Sequence, residues 1–260
     1  MILRRNGNKQ GIAHLIYTHF PEHKIYIEPF FGAGGMYFNK PKVKYNFLND
    51  LDSDVFNLFM VVKNRKDDLI NYIEKLPVHQ DLMKYWKKNK ETDELWRAVR
   101  FLFLSNFTYL SKGYNLKFTA DNSKSVLLNR IEPTFEYIKD ARFMNVDFRK
   151  VINMISFGDE SALCKKTDSF VYSDPPYYET EGWYTNNSNK EKDVIDHFDM
   201  LCNSGLRFAM SEFNSPFILE NASQRGLNII TIGERRNLKN RRTEILITNY
   251  EKERQTKLFI

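Results

Sequence analysis

The sequence predicts an α/β fold built on one mostly parallel sheet, with a mainly helical insertion. Seven short apolar segments have the length and composition of buried strands, and helical patterns lie between several of them. The 260 residues, 42% of them hydrophobic, suffice for one compact domain with a large insertion or for two small domains. Because such sheets bind ligands beyond the carboxyl ends of their strands, functional residues are expected there.

The strands are predicted from short apolar runs bounded by polar or turn-forming residues. Two of them flank a glycine-rich turn near the N-terminus, and the other five follow residue 140. The predicted strands are residues 25–29, 45–50, 142–146, 169–173, 207–211, 228–232 and 244–249.

The helices are predicted from apolar residues spaced three or four apart. Ser53 is expected to cap the second helix, and residues 105–129 have the composition of a polar loop. This pattern separates residues 1–62 and 141–260, which carry the sheet, from an inserted helical part at 63–140. The predicted helices are residues 9–20, 53–62, 67–76, 94–104 and 191–203.

The motif Asp174-Pro175-Pro176-Tyr177 follows the apolar run 169–173 directly. An aromatic exocyclic amine is a poor nucleophile, because its lone pair is delocalised into the ring. Accepting hydrogen bonds from both amine hydrogens stabilises the charge that develops during attack, and a carboxylate and a main-chain carbonyl supply two acceptors. Two prolines fix the backbone, and the tyrosine offers a ring for stacking on an extruded base. The alternative is a simple turn that ends a strand.

A second motif, Phe30 to Gly35, forms the glycine-rich turn between the first two strands. Gly32 and Gly34 let the backbone turn sharply and approach a cofactor, and Phe30 is an aromatic partner for a sulfonium cation. About twenty residues on, Asp50 ends the next strand at the spacing of an acidic residue that binds ribose hydroxyls. The turn is not GxGxxG, which disfavours a dehydrogenase.

Basic or aromatic side chains are concentrated in three predicted loops. The formal net charge of +6 and the pI near 9.1 agree with a polyanionic partner such as DNA, although many soluble proteins are mildly basic. Residues 178–189 are expected to form a mobile lid, and residues 235–242 a basic loop between the last two strands. Solvated loops kept soluble by charge are the alternative. The candidate DNA-binding residues are Tyr109, Lys112, Tyr114, Lys117, Lys124, Arg130, Trp183, Tyr184, Arg235, Arg241 and Arg242.

Other function classes lack their signatures. Cys164 and Cys202 form no CxxC pair, so reduced thiols are expected. The five histidines, His197 among them, lack zinc-protease spacing, and no metal is expected. The sequence has no segment typical of a signal peptide or a membrane span, which predicts a cytoplasmic protein without membrane contact.

The order of these motifs resembles the Dam-type DNA adenine methyltransferases over almost the whole chain. In that family the glycine motif comes first, a target-recognition region follows, and Asp-Pro-Pro-Tyr comes last. The resemblance implies a Rossmann-like seven-stranded sheet with a closing antiparallel hairpin strand, and S-adenosylmethionine as cofactor. It implies base-holding roles for Asp174, Pro175, Pro176 and Tyr177. The residues that it implies for the cofactor are Asn8, Lys9, Phe30, Gly32, Ala33, Gly34, Asp50, Asp147, Phe148 and Asp174.

By this resemblance, residues 1–62 and 141–260 form the catalytic domain, and 63–140 the recognition domain. We expect a site-specific enzyme that methylates the exocyclic amine of a flipped-out adenine in duplex DNA, as a monomer in solution. A cognate restriction endonuclease is one candidate partner. The alternatives are the exocyclic amine of cytosine, a base in RNA, or a non-catalytic DNA-binding subunit. Gly35 stands where the family often has serine, and the central region lacks the arginine pattern of GATC readers.

Overall fold

The computed structural model describes residues 1–5, 7–109, 114–117, 123–158, 165–179, 190–236 and 241–251, without the side chains of residues 123, 235, 236 and 241. Residues 180–189 of the segment predicted to form a lid, and residues 237–240 of the predicted basic loop, therefore lie outside the described residues. In the described part, no helix is long and apolar enough to cross a membrane.

The described residues contain seven strands in one sheet. The strands are β1 (Ile25–Glu28), β2 (Tyr45–Asn49), β3 (Arg142–Met144), β4 (Ser169–Ser173), β5 (Arg207–Phe213), β6 (Asn228–Arg236) and β7 (Arg241–Thr248). Their order is β3-β2-β1-β4-β5-β7-β6. Strand β4 runs parallel to β1 and β5, whereas β7 runs antiparallel to both β5 and β6. The predicted mostly parallel sheet with a closing antiparallel hairpin is confirmed.

Nine α-helices accompany these strands in the described part of the chain. They are α1 (Ala13–Tyr17), α2 (Ser53–Asn64), α3 (Lys66–Lys75), α4 (Gln80–Lys88), α5 (Glu94–Phe107), α6 (Ser123–Ile138), α7 (Phe148–Val151), α8 (Lys190–Asn203) and α9 (Pro216–Gln224). The predicted helix at 9–20 is replaced by a 3-10 turn at Lys9–Gly11 and the short helix α1. The N-cap of α2 is Asp52, not Ser53, because the Asp52 side chain accepts the Asp54 N–H at 3.0 Å.

The predicted polar loop at 105–129 was wrong at both ends. Helix α5 continues to Phe107, and α6 begins at residue 123, so Lys124 and Arg130 lie on a helix. The apolar stripe of α6 was visible in the sequence: Leu127, Ile131 and Ile138 follow a helical spacing and are buried. Pro133, inside that helix, interrupts the pattern and argues against a helix on propensity alone.

Two further differences concern the ends of the last two strands and two helices that the sequence analysis did not predict. Strand β6 extends to Arg236 and β7 begins at Arg241, so the basic run belongs largely to a hairpin, with Arg235 paired to Arg242. Helices α4 and α9 were not predicted. Helix α9 nevertheless carries a standard start signal, since Ser215 caps it and Pro216 occupies its first turn.

The chain divides into two compact units. One comprises residues 1–13, 31–42 and 48–146, and the other residues 14–30, 43–47 and 147–260. The core of the first unit includes Leu58, Phe59 and Phe103 from helices α2 and α5, all fully buried. The core of the second unit includes Phe170 and Phe208 from neighbouring strands. The functional division at residues 63–140 stays a prediction.

Candidate functional site

The glycine-rich turn and Asp50 are held together by hydrogen bonds in the first unit. The Phe31 N–H donates to the Asn49 carbonyl at 2.8 Å, and the Gly32 N–H donates to the Asp50 Oδ2 at 2.6 Å. Asp50 Oδ1 accepts the Asp52 N–H at 2.8 Å. Burial raises the pKa of Asp50 despite the opposing charge of Arg5. Two residues that the sequence analysis assigned separately to the cofactor, Gly32 and Asp50, are therefore hydrogen-bonded to each other through the Gly32 backbone.

The three glycines of the turn have different surroundings. Gly32 adopts a φ of +54°, and the space where a Cβ would project is open. A Cβ on Gly34 would instead overlap the rings of Phe38 and Phe31. Gly32 is thus the glycine whose backbone faces free space, whereas Gly34 serves ring packing.

Gly35 packs so closely against the segment that carries Asn8 and Lys9 that no larger residue fits in its place. A Cβ on Gly35 would overlap the Asn8 side chain and would lie 2.8 Å from the Lys9 nitrogen. The Asn8 side chain accepts the Gln10 N–H at 3.0 Å, and Lys9 is buried. The close packing of Asn8 and Lys9 against Gly35 leaves no room for a side chain at this position. Ala33, also assigned to the cofactor, is buried.

The Asp-Pro-Pro-Tyr motif follows β4 in the second unit, as predicted. All five residues of β4 are buried, and Asp174 and Pro175 are half-buried where the strand ends. Pro176 is exposed. A carboxylate and a carbonyl thus follow one another at the carboxyl end of a central parallel strand, which is where such sheets bind ligands.

The Tyr177 side chain is more firmly packed than the sequence suggested. It is 8% exposed, its hydroxyl donates to Glu244 of β7, and its ring meets the Phe213 ring edge-on at 4.6 Å. Burial, reinforced by the charges of Asp174 and Glu244, raises the pKa of Tyr177 well above its usual value. Sequence reasoning does not pair Tyr177 with Glu244, because this contact depends on the antiparallel placement of β7.

Asp147 and Phe148 begin helix α7 in the second unit. The Asp147 side chain caps the helix by accepting the Arg149 N–H at 2.9 Å. The Phe148 ring lies 5.3 Å from the Phe30 ring, so two predicted cofactor residues are in contact. Arg149, which the sequence reasoning missed, binds Asp147 and also donates to Asp196 of α8 at 2.8 Å.

The candidate DNA-binding residues are only partly described. Tyr109 and Tyr114 are 55% and 61% exposed and flank residues 110–113. The Tyr109 N–H donates to the Asn115 carbonyl at 3.0 Å, and the Lys117 N–H donates to the carbonyl of Phe107, the last residue of helix α5, at 2.8 Å. Lys112, Trp183, Tyr184 and the side chains of Arg235 and Arg241 lie outside the described residues.

The remaining basic candidates have partners within their own unit. Lys124 donates to the Glu74 carbonyl at 3.1 Å, and Arg130 to the Met1 carbonyl at 3.4 Å. Arg242 lies 3.4 Å from the Glu179 carboxylate. Lys87 of α4 was not predicted, yet its ammonium lies 4.6 Å from the Tyr114 ring centroid. Over the described residues, no group of three or more histidine, cysteine or acidic side chains is arranged to hold a metal ion.

Comparison with known proteins gives a consistent result. The model of the D12 class N6 adenine-specific DNA methyltransferase family matches residues 6–252. A protein named Type II methyltransferase M1.LlaDCHI, from Lactococcus lactis subsp. cremoris, is 26% identical over 94% of this chain and 93% of its own length.

Two proteins named DNA adenine methylase are also similar. The one from Salmonella typhi is 29% identical, and the one from Escherichia coli (strain K12) is 28% identical, each over 184 residues. These alignments cover 67% of this chain and 64% of each relative, so they span just under two thirds of the relatives' length.

Proposed function

The chain belongs to the D12 class N6 adenine-specific DNA methyltransferase family, and from that premise we propose that Asp174 and Pro175 hold the exocyclic amine of adenine for methylation by S-adenosylmethionine. The family and the relatives indicate an adenine-specific DNA methyltransferase. The donor, the duplex substrate with its flipped-out base, and the residue roles are the proposal. The observation that carries it is a half-buried carboxylate beside a carbonyl at the end of the wholly buried strand β4.

The amine chemistry follows from the two acceptors. Hydrogen bonds from both amine hydrogens, to the Asp174 carboxylate and the Pro175 carbonyl, localise the nitrogen lone pair. They also stabilise the positive charge that the nitrogen gains as the new bond forms. Proline donates no N–H, so nothing on Pro175 or Pro176 competes for the carboxylate. Tyr177, fixed by Glu244 and Phe213, offers a rigid ring for the extruded base.

The donor fits residues in each unit. S-adenosylmethionine supplies a methyl group made electrophilic by a sulfonium. In the first unit, Asp50 accepts hydrogen bonds from the ribose hydroxyls. The space beside the Gly32 backbone is open, so the ligand can approach it closely. In the second unit, Phe148 and Phe30 offer aromatic surface to the adenine and the sulfonium, and Asp147 a further acceptor. Lys9 and Asn8 are proposed to lie over the methionine part of the cofactor.

The acceptor base is tested by a labelled transfer assay. Purified protein, S-adenosylmethionine carrying a labelled methyl group, and unmethylated genomic DNA are incubated, and the DNA is digested to nucleosides. Label is expected in N6-methyladenine, because the two acceptors match an exocyclic amine and the family acts on adenine. Matched duplexes that lack adenine or cytosine, and an RNA of the same sequence, serve as controls. Label in N4-methylcytosine or in RNA, or no transfer at all, would contradict the proposal.

DNA binding is proposed for the surface around Tyr109, Tyr114 and Lys117. Replacing Lys117 with alanine is expected to remove one phosphate contact, which lowers the slope of log K against log salt by about 0.9. The control is Lys66→Ala, since Lys66 is already paired with Glu132 at 2.6 Å in the same unit. Fluorescence anisotropy with labelled duplex at four salt concentrations gives both slopes. Equal slopes for the wild type and the Lys117 variant would place the DNA elsewhere.

A further inference from the structure

His197 of helix α8 is surrounded by residues to which the proposed function assigns roles. It is 3% exposed, and its ring meets the rings of Phe30 and Phe148 edge-on at 5.2 and 5.4 Å. The Phe30 and Phe148 rings are themselves 5.3 Å apart. The three rings form a closed triangle, called the ring cluster below, in which the imidazole contacts both phenylalanines.

The imidazole also bonds to the strand that ends at Asp174. His197 Nε2 lies 2.7 Å from the Ser173 Oγ, in a bond that either atom can donate. Ser173 is the last residue of β4 and is fully buried. The neighbouring residue on α8, Asp196, accepts a hydrogen bond from Arg149, which follows Phe148. One helix therefore holds both the ring pair and the strand end.

His197 is not an acid–base group in the working pH range. Burial, helped by the positive charge of Arg149, lowers its pKa to about 3, so the imidazole is neutral at physiological pH. A neutral ring packs against Phe30 and Phe148 as a phenylalanine would. Its additional contribution is a polar nitrogen that fixes the Ser173 hydroxyl, and a buried polar pair of this kind is costly to break on one side only.

We propose that His197 is a positioning residue that joins the ring cluster to the strand end carrying Asp174. The inference rests on the proposed function, since it uses the roles given there to Phe30, Phe148 and Asp174. Holding Ser173 fixes the backbone from which the Asp174 carboxylate and the Pro175 carbonyl project. A displacement of about 1 Å between reacting groups costs on the order of 100-fold in rate, so a loosened strand end lowers kcat.

The test uses two variants that separate positioning from stability. Ser173→Ala removes the hydroxyl and leaves the imidazole nitrogen without that partner. The double variant Ser173→Ala/His197→Phe removes both polar groups and keeps a ring in the cluster, which restores most of the stability that the single variant loses. We expect kcat to fall about tenfold or more in both variants, while the Kd for S-adenosylhomocysteine stays within about twofold of the wild-type value. Melting temperature, calorimetric binding and steady-state kinetics on DNA supply the three readouts.

The outcomes distinguish this inference from the proposed function. Absence of adenine methylation by the wild type would refute the function itself. An active wild type together with a double variant of normal kcat would overturn the role of His197. A fall in kcat that merely follows the fraction of protein able to bind S-adenosylhomocysteine would also overturn it. Leu201→Val, a buried change one turn along α8, is the control for lost packing and should leave kcat unchanged. If the double variant does not fold, the kcat of Ser173→Ala and its Kd for S-adenosylhomocysteine decide: a normal kcat would overturn the inference.

Discussion

Replacing Asp174 with alanine is expected to abolish methyl transfer while leaving cofactor binding measurable. The variant removes one of the two acceptors proposed for the amine, at the end of a strand whose own residues stay buried. Removing a single preorganised group that stabilises developing charge costs about 100- to 1,000-fold in kcat, and here the lost group also carries the charge. Single-turnover transfer of a labelled methyl group to DNA measures the rate, and calorimetry with S-adenosylhomocysteine measures binding.

Two further variants make the Asp174 result specific. Asp174→Asn keeps an oxygen acceptor without the charge and should retain more activity than alanine. Asp168→Ala, just before β4, removes a carboxylate that pairs with Lys24 at 3.4 Å and should leave kcat near the wild-type value. Near-normal kcat in Asp174→Ala would show that the amine is held by other groups.

Much of the sheet was predictable because its strands are short, apolar and bounded by turn residues. Strand β4 was predicted with its observed bounds, since a five-residue apolar run that ends at an Asp-Pro-Pro turn is too short for a helix and has the length of a buried strand. The hairpin of β6 and β7 was predicted too short, because charged residues such as Arg235 and Arg242 pair across it on an edge of the sheet. Helix α6 was missed because Pro133 lowers helix propensity, whereas tertiary burial of Ile131 and Ile138 stabilises the helix.

In the candidate site too, features that depend on local sequence were predictable, whereas contacts between distant elements were not. Motifs that are local in sequence, such as Asp174 to Tyr177 and the turn around Gly32, could be read from spacing and residue type. Partners supplied by distant elements could not: Glu244 reaches Tyr177 from an antiparallel strand, and His197 reaches Ser173 from helix α8. A buried histidine has no sequence signature that separates it from a surface one, so His197 was grouped with scattered histidines.

The second large effect is expected at Asp50, where Asp50→Asn should weaken S-adenosylhomocysteine binding by about one to two orders of magnitude. The carboxylate accepts the Gly32 N–H at 2.6 Å and the Asp52 N–H at 2.8 Å, and the proposed ribose contact adds to them. Hydrogen bonds to a charged group contribute about 1.5–3 kcal/mol each, so loss of one such bond gives this range. Asp54→Asn, which removes a carboxylate paired with Arg97 at 2.7 Å in the same unit, is the control and should bind normally.

The pH dependence separates a ligand role for Asp50 from a purely structural one. Burial raises the pKa of Asp50, so the ionised form destabilises the fold, and this cost disappears as the pH falls through the raised value. Ligand affinity should change with pH in the opposite direction to stability: it should fall as the pH falls, because the ionised carboxylate is the form that accepts hydrogen bonds best on both oxygens. On acidification from pH 7, the wild type should therefore lose S-adenosylhomocysteine affinity at a pH above the ordinary aspartate range, whereas Asp50→Asn should show a flatter profile. Parallel affinity profiles for the two proteins would mean that Asp50 only shapes the glycine turn.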